Sequence, residues 1–300
     1  EKLYFKDGKN HADPDSVQGI FELALLKLKS LNYPKITLSS RTDGGVHALC
    51  TSAHFDLEKY GTQIYQPYNV TYTLNKFFYK ADCPILVKDC IRVPDNFHAR
   101  FKALSRTYLY RFAVLRENVQ LPEYTSIASY IPIEEWRRCH YTRLKNFDIE
   151  KFKEASQYFV GYHDFTTFKR FNKQQQNKQN RRELKAITVR PGAPLLASCS
   201  RGRDVFQYWD VEIKGRAFVH NQIRRMVGTL MTVAIGKLPP EEIKVMLQVP
   251  SKHSWHGCIH ACPPEGLYLC SVEYNPDDLI YDPNAVATTE HNIHEDSDSE

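Results

Sequence analysis

Ser105-Arg106-Thr107-Tyr108-Leu109-Tyr110-Arg111-Phe112-Ala113-Val114 puts Tyr108, Tyr110, Phe112 and Val114 on one face of a strand. Tyr108 therefore points toward a core or a cleft. C-terminal to it, Ile149, Phe152, Ser156, Phe159 and Val160 mark a helix, and Leu184–Arg190 and Val205–Lys214 read as strands. Val219, Ile223, Met226, Val227, Leu230 and Ala234 keep helical spacing through 218–235, until Gly236 and the Pro239-Pro240 pair stop it. A short helix to about Gln248 and a strand over Leu267–Tyr274 complete the run. Strand, helix, strand, strand, helix, strand is the order of the split ferredoxin-like unit.

The N-terminal half repeats this order without its opening strand. Val17, Ile20, Phe21, Ala24, Leu28 and Leu31 predict a helix over 16–31, with Asp15 or Ser16 available as its N-cap. Lys35–Leu38 is a short strand, and Leu49, Thr51, Ala53, Phe55 and Leu57 alternate along a second. Pro67 opens another helix with Val70, Thr71, Leu74, Phe77 and Phe78 on one side, and Ile85, Val87, Ile91 and Val93 alternate in a strand that Pro94 ends. The expected fold is α+β: two ferredoxin-like (RRM-like) units, 1–104 and 105–274, sharing a long mixed, mostly antiparallel sheet. Helices lie on one face. A sheet face left open by the helices is a platform of the kind RNA-binding folds use.

The 300 residues are 42% apolar, enough for a substantial core. The formal net charge is +5, but residues 275–300 hold eight Asp or Glu and no Lys or Arg. The body therefore carries 40 basic against 27 acidic residues, a net of +13, which favours a polyanionic partner. The tail 275–300 is expected to be disordered, and the polar, basic stretch Lys173–Arg182 to form a mobile loop in which Arg181 and Arg182 reach phosphates. Eight scattered cysteines, Cys50, Cys83, Cys90, Cys139, Cys199, Cys258, Cys262 and Cys270, read as reduced thiols of an intracellular compartment, mitochondrial or cytosolic and nuclear. No apolar run approaches a membrane span. The chain begins at Glu1 rather than Met, which leaves room for further N-terminal sequence such as a targeting peptide.

Between the first two strands runs Ser39-Ser40-Arg41-Thr42-Asp43-Gly44-Gly45-Val46-His47-Ala48. One reading is a surface Asp-Gly hairpin with a chance arginine. The other is a carboxylate presented on a sharp turn that glycines allow to approach a ligand. Arg224 and Arg225 sit beside the apolar stripe of the 218–235 helix. Either they form an exposed pair, or one guanidinium is near the buried side and needs an anion, for which Asp43 is the candidate. His256-Gly257-Cys258-Ile259-His260-Ala261-Cys262 offers four metal-ligand side chains in seven residues, too crowded for ordinary tetrahedral zinc, and reads as a loop. No phosphate-binding glycine loop or dinucleotide fingerprint is present, and no metal or cofactor is expected.

Six motifs in order carry a resemblance: Arg41–Ala48, Phe97-His98-Ala99-Arg100-Phe101, Ser105–Tyr110, Gly161-Tyr162-His163-Asp164-Phe165, Phe218–Gly228 and Glu265-Gly266-Leu267-Tyr268-Leu269. Together they resemble the TruA family of tRNA pseudouridine synthases over about Ser16–Tyr274. The resemblance implies a cofactor-free isomerase acting on tRNA or another structured RNA, without a membrane and compatible with a homodimer. By the match Asp43 is the catalytic carboxylate, acting covalently or through a glycal-type route, and Arg224 is its basic partner. Tyr108 lies against the uracil and is placed to help move its proton, Leu267 packs on the base, and Arg41 prises the nucleotide from its stack. His98, Arg100, Arg106 and Arg225 join Arg41, Arg181 and Arg182 as expected RNA contacts. The chain departs from the family at Gly44, where alanine is usual, and at Glu1–Lys9, which matches the family's first strand and glycine loop poorly. Weighed against this reading are a catalytically weak RNA-binding or RNA-folding protein on the same scaffold and, more distantly, a zinc nucleobase deaminase.

Overall fold

The computed structural model describes residues 13, 15–61, 63–122, 125–170, 179–196 and 200–282. Most of the basic stretch 173–182, the acidic tail beyond residue 282 and the departing segment Glu1–Lys9 therefore lie outside the described residues. In chain order the elements are α1 (Val17–Leu25), β1 (Thr37–Leu38), β2 (His47–Ala48), β3 (Ala53–His54), α2 (Pro67–Lys80), β4 (Ser105–Leu115), β5 (His140–Thr142), α3 (Ile149–Ser156), β6 (Gly161–Asp164), β7 (Arg181–Pro191), α4 (Ser200–Val205), β8 (Phe206–Gly215), α5 (Gln222–Ala234), α6 (Glu242–Gln248) and β9 (Leu267–Glu273). They fall into two compact units. Of the described residues, one comprises those up to Thr37, Ala53–Lys102 and those from Tyr274; the other comprises Leu38–Ser52 and Ala103–Glu273. The segment carrying Asp43 thus clusters with the second half of the chain.

In the larger unit a mixed, mostly antiparallel sheet of seven strands runs β2-β9-β4-β8-β7-β6, with β5 parallel to the far end of β4. β4 is its spine, pairing along its whole length with β8 and over Ser105–Tyr110 with β9. The alternation of β4 decides which side is which. Tyr108, Tyr110, Phe112 and Val114 join Trp209, Val211 and Ile213 of β8 in the main core, covered by Phe152 of α3 and by Ile223, Met226, Val227 and Leu230 of α5. Asp148 caps α3 by accepting from the Glu150 and Lys151 amides at 3.0 and 3.2 Å. α5 is buried nearly all round, and its Thr229 and Thr232 hydroxyls donate to the carbonyls of Arg225 and Gly228 four residues back.

The opposite face is not wholly open, in contrast to the sequence expectation. Ala113, Leu115, Cys139, Phe206 and Tyr208 form a second cluster there, with Ile127, Tyr130 and Val205 packed against it. On that face Arg111 makes a buried two-pronged pair with Glu135, both bonds 3.2 Å, and donates to the Ala193 carbonyl at 2.9 Å. Satisfying both charges in this way lets the sheet bury an ion pair beneath the 133–138 segment.

His140 of β5 is the most perturbed histidine, its pKa pushed down to about 4 by burial. The unfolded chain takes up this proton below about 6.5, whereas the folded chain does so only near 4. Stability from this group is therefore present above pH 6.5 and lost as pH falls, by about 1.4 kcal/mol per pH unit at most. His140→Gln is expected to flatten the dependence of the urea midpoint over that interval.

In the smaller unit α1 and α2 are both amphipathic, burying Ala24 and Leu25 and Val70, Leu74 and Phe78 respectively. α1 is shorter than its periodicity suggested, because the chain tightens into a 3-10 turn at Leu26–Leu28 and Lys29 turns left-handed at φ 56°. The expected strand over Ile85–Val93 does not form, and the one over Leu49–Leu57 shrinks to β3. Val87 instead exchanges two hydrogen bonds with the Asn75 side chain, its amide donating to Oδ1 at 2.8 Å and its carbonyl accepting from Nδ2 at 2.9 Å. A side-chain amide on α2 stands where a neighbouring strand would stand. Among the described residues no helix is long and apolar enough to cross a membrane.

Candidate active site

Ser39 and Ser40 enter the Asp43 turn under the hold of Arg106. Its guanidinium donates to the Ser39 carbonyl and the Ser40 hydroxyl, both at 2.8 Å, and to the Arg216 carbonyl at 2.5 Å. Arg106 is only 7% exposed, so the side chain expected to meet RNA is a brace for the loop. The turn closes where the Val46 amide donates to the Asp43 carbonyl at 3.1 Å. Gly45, at φ +80°, carries the left-handed step, and a Cβ there would come within 3.0 Å of Pro264. The loop then enters β2, which lies parallel to β9 at Tyr268 and Leu269.

Across from the turn, α5 is preceded by its N-cap Asn221, left-handed at φ 60°. The helix begins later than the sequence periodicity indicated because this residue breaks the run. Arg224 projects from the first turn and donates three ways: Nη1 to Asp43 Oδ2 at 3.2 Å and to Asn221 Oδ1 at 3.0 Å, and Nε to the Cys262 carbonyl at 2.8 Å. The other carboxylate oxygen, Oδ1, lies 3.2 Å from His220 Nε2. Asp43 is thus gripped by one nitrogen at each oxygen while its side chain keeps 27% of its surface open. Arg224 and Asp43 stand 181 residues apart in the chain. His220 was not singled out from the sequence, although it lies inside a quoted motif. It lies ahead of the left-handed Asn221 and outside α5, so helical spacing from Arg224 gives no signal for it.

Tyr108 is 7% exposed and meets Phe218 edge-on, ring centroids 5.0 Å apart. Burial raises its pKa, against a hydrogen bond with Ser40 and the nearby Arg106 charge, which lower it. The phenol is therefore neutral at ordinary pH and touches the same loop that carries Asp43. Leu267 opens β9 opposite Tyr110, buried in the main core. Arg41 is exposed and holds no hydrogen bond or ion pair among the described residues. Arg225 lies over the Trp255 ring, 3.5 Å from its centroid, and donates to the Thr167 carbonyl at 3.2 Å. Its partly buried guanidinium has its pKa lowered to about 10 and ties α5 to neighbouring loops instead of standing open to a phosphate. Arg181 and Arg182 begin β7, where Arg182 donates to the carbonyls of Gln179 and Arg181. His98 and Arg100 belong to the smaller unit, where the His98 ring accepts from the Arg100 amide at 3.1 Å and stacks on Phe101.

Residues 155–275 match the family described as tRNA pseudouridine synthase. The chain is 34% identical over 264 residues to tRNA pseudouridine synthase-like 1 of Xenopus laevis, covering 88% of this chain and 84% of that one. It is 33% identical over 273 residues to tRNA pseudouridine synthase A of Dinoroseobacter shibae, covering 91% and 93%. The chain belongs to the TruA family of tRNA pseudouridine synthases. Like them it is a pseudouridine synthase, an isomerase. The mouse tRNA pseudouridine synthase-like 1 is 32% identical over 86% of this chain.

In the His256–Cys262 run of this TruA-family chain, Ile259 and Cys262 are buried while Cys258 and His260 are exposed. Cys262 is buried, its thiol pushed up to about 12 by burial and set against Met231, while the His256 ring bonds Glu242 at 3.0 Å. Among the described residues no group of three or more His, Cys, Asp or Glu is placed to hold a metal ion. Arg224→Lys keeps the charge on Asp43 but a single ammonium cannot replace the fork that reaches Cys262, Asn221 and Asp43 together. It is expected to slow pseudouridine formation roughly 10- to 100-fold and to cost about 1–2 kcal/mol in urea unfolding.

Proposed function

We propose that Asp43 is the catalytic carboxylate of uridine-to-pseudouridine isomerisation in tRNA or a tRNA-like stem. The observation that carries this reading is the Asp43 carboxylate, held at 3.2 Å by Arg224 on one oxygen and by His220 on the other, at the tip of a glycine turn. The N1–C1′ bond breaks, with Asp43 either attacking C1′ or taking the C2′ proton on a glycal-type route. The freed uracil turns and C5 bonds to C1′ as the Asp43–C1′ ester bond breaks or, on the glycal-type route, as the C2′ proton returns to its carbon; the C5 proton then leaves and N1 gains one. Every atom and electron of the nucleotide is conserved, so no step calls for a redox partner. Arg224 and His220 keep the carboxylate aimed, Tyr108 lies against the base near the departing proton, Leu267 packs on it, and the unengaged Arg41 takes the place the base leaves in the stack.

The scaffold in this proposal is a pair of ferredoxin-like units with a central active-site cleft. The strand order β9-β4-β8-β7 supports the second of them, since one split βαββαβ unit has that order. His98, Arg100, Arg181 and Arg182 are retained as RNA contacts. Incubation with transcribed tRNA, followed by mapping at single-nucleotide resolution, is expected to give pseudouridine with the wild-type protein and none with Asp43→Ala. Equal product from both would move the chemistry to another residue.

A further inference from the structure

α2 turns toward solvent a face that its packing does not require to be aromatic. Val70, Leu74 and Phe78 occupy its buried side. The outward side reads Tyr68, Tyr72, Lys76, Tyr79 and Lys80, whose steps of four and three align them in one row along the helix. The three tyrosines are 70%, 65% and 88% exposed. Lys76 Nζ lies 5.5 Å from the Tyr72 ring centroid, and Pro67–Lys80 contains no acidic residue. At helical rise the row is about 18 Å long.

We propose that this row is an RNA-docking surface that holds the sugar–phosphate backbone of the tRNA substrate, an inference that rests on the tRNA reading above. Lysine ammoniums meet phosphates, tyrosine hydroxyls donate to phosphate or 2′-hydroxyl oxygens, and the rings offer stacking faces to unpaired bases. Such contacts position the RNA without reading its sequence. A second copy of the chain is the poorer occupant. A two-fold contact through this row would bring Lys76 and Lys80 of both copies into one interface, with no acidic residue on either helix to offset them. A polyanion is complementary to the same charges.

The test is the full chain carrying Tyr68→Gln, Tyr72→Gln, Tyr79→Gln, Lys76→Gln and Lys80→Gln, since glutamine keeps helix propensity. Filter binding of a tRNA transcript between about 50 and 200 mM salt is expected to show Kd raised about tenfold or more, with the salt slope reduced by about 2. The KM for pseudouridine formation rises with Kd while kcat stays at the wild-type value. An unchanged Kd and salt slope would overturn the proposal, as would sedimentation showing a wild-type dimer that the substitutions split. If the wild-type protein made no pseudouridine, the catalytic reading would fall while the binding measurement still decided this one.

Discussion

Asp43→Asn is expected to lower the single-turnover rate of pseudouridine formation by about 10³-fold or more, while tRNA affinity stays within about twofold. Asparagine has the size of aspartate, so the turn closed by the Val46 amide and the φ of Gly45 are untouched. What is lost is the anion that, in the proposed reaction, attacks C1′ or accepts its neighbour's proton. The amide oxygen can still accept from Arg224, while the NH₂ group takes the place of the oxygen that lies 3.2 Å from His220 Nε2, a mismatch when that nitrogen carries a hydrogen. Because Asp43 is partly open to water, that mismatch is relieved by hydration, and the expected stability loss is about 1 kcal/mol. A rate loss that came with a collapsed unfolding transition would instead make Asp43 structural. Rate under saturating enzyme, tRNA filter binding and urea unfolding, measured on one preparation, separate the two.

The second large effect is on the fold. A Cβ on Gly228 would lie 1.9 Å from the His260 carbonyl oxygen and 3.0 Å from its carbon, both backbone atoms. No side-chain rotation relieves that overlap, so α5 and the 259–263 segment must part. They are latched together by the Cys262 amide donating to the Arg224 carbonyl at 2.9 Å and by Arg224 Nε donating to the Cys262 carbonyl at 2.8 Å. Gly228→Ala is therefore expected to cost about 3 kcal/mol or more in urea unfolding, and to lower activity in the surviving fold by displacing the carbonyl that aims Arg224. Gly44→Ala is the matched control. Its Cβ meets nothing within 4 Å, and the expected change is under about 0.5 kcal/mol.

The parts of the molecule legible in the sequence are those whose signal is local and periodic. β4 declares itself because its alternation puts Tyr110 and Phe112 in a core, and α5 because its apolar spacing holds over three turns. The Asp43 turn is legible through its glycines, although the left-handed step falls at Gly45. β2 has two residues and no period, so its pairing with β9 follows only from the folded sheet. The strand expected over Ile85–Val93 has the right alternation, but Asn75 supplies the hydrogen bonds that a neighbour would have made. Arginines are the hardest to read, because the sequence gives their charge without its partner. Arg106 and Arg225 count toward a basic surface in composition, yet in the fold one braces a loop and the other lies on Trp255.

The proposed role of Asp43 in isomerisation is open to a direct measurement. Joining C5 to C1′ expels the C5 hydrogen, so tRNA labelled with tritium at uridine C5 reports each turnover as tritium released to water. Release by the wild-type protein is expected to keep step with pseudouridine formed, with none above background from Asp43→Asn at an enzyme concentration that binds all the tRNA. Release at the wild-type rate by Asp43→Asn would contradict that role.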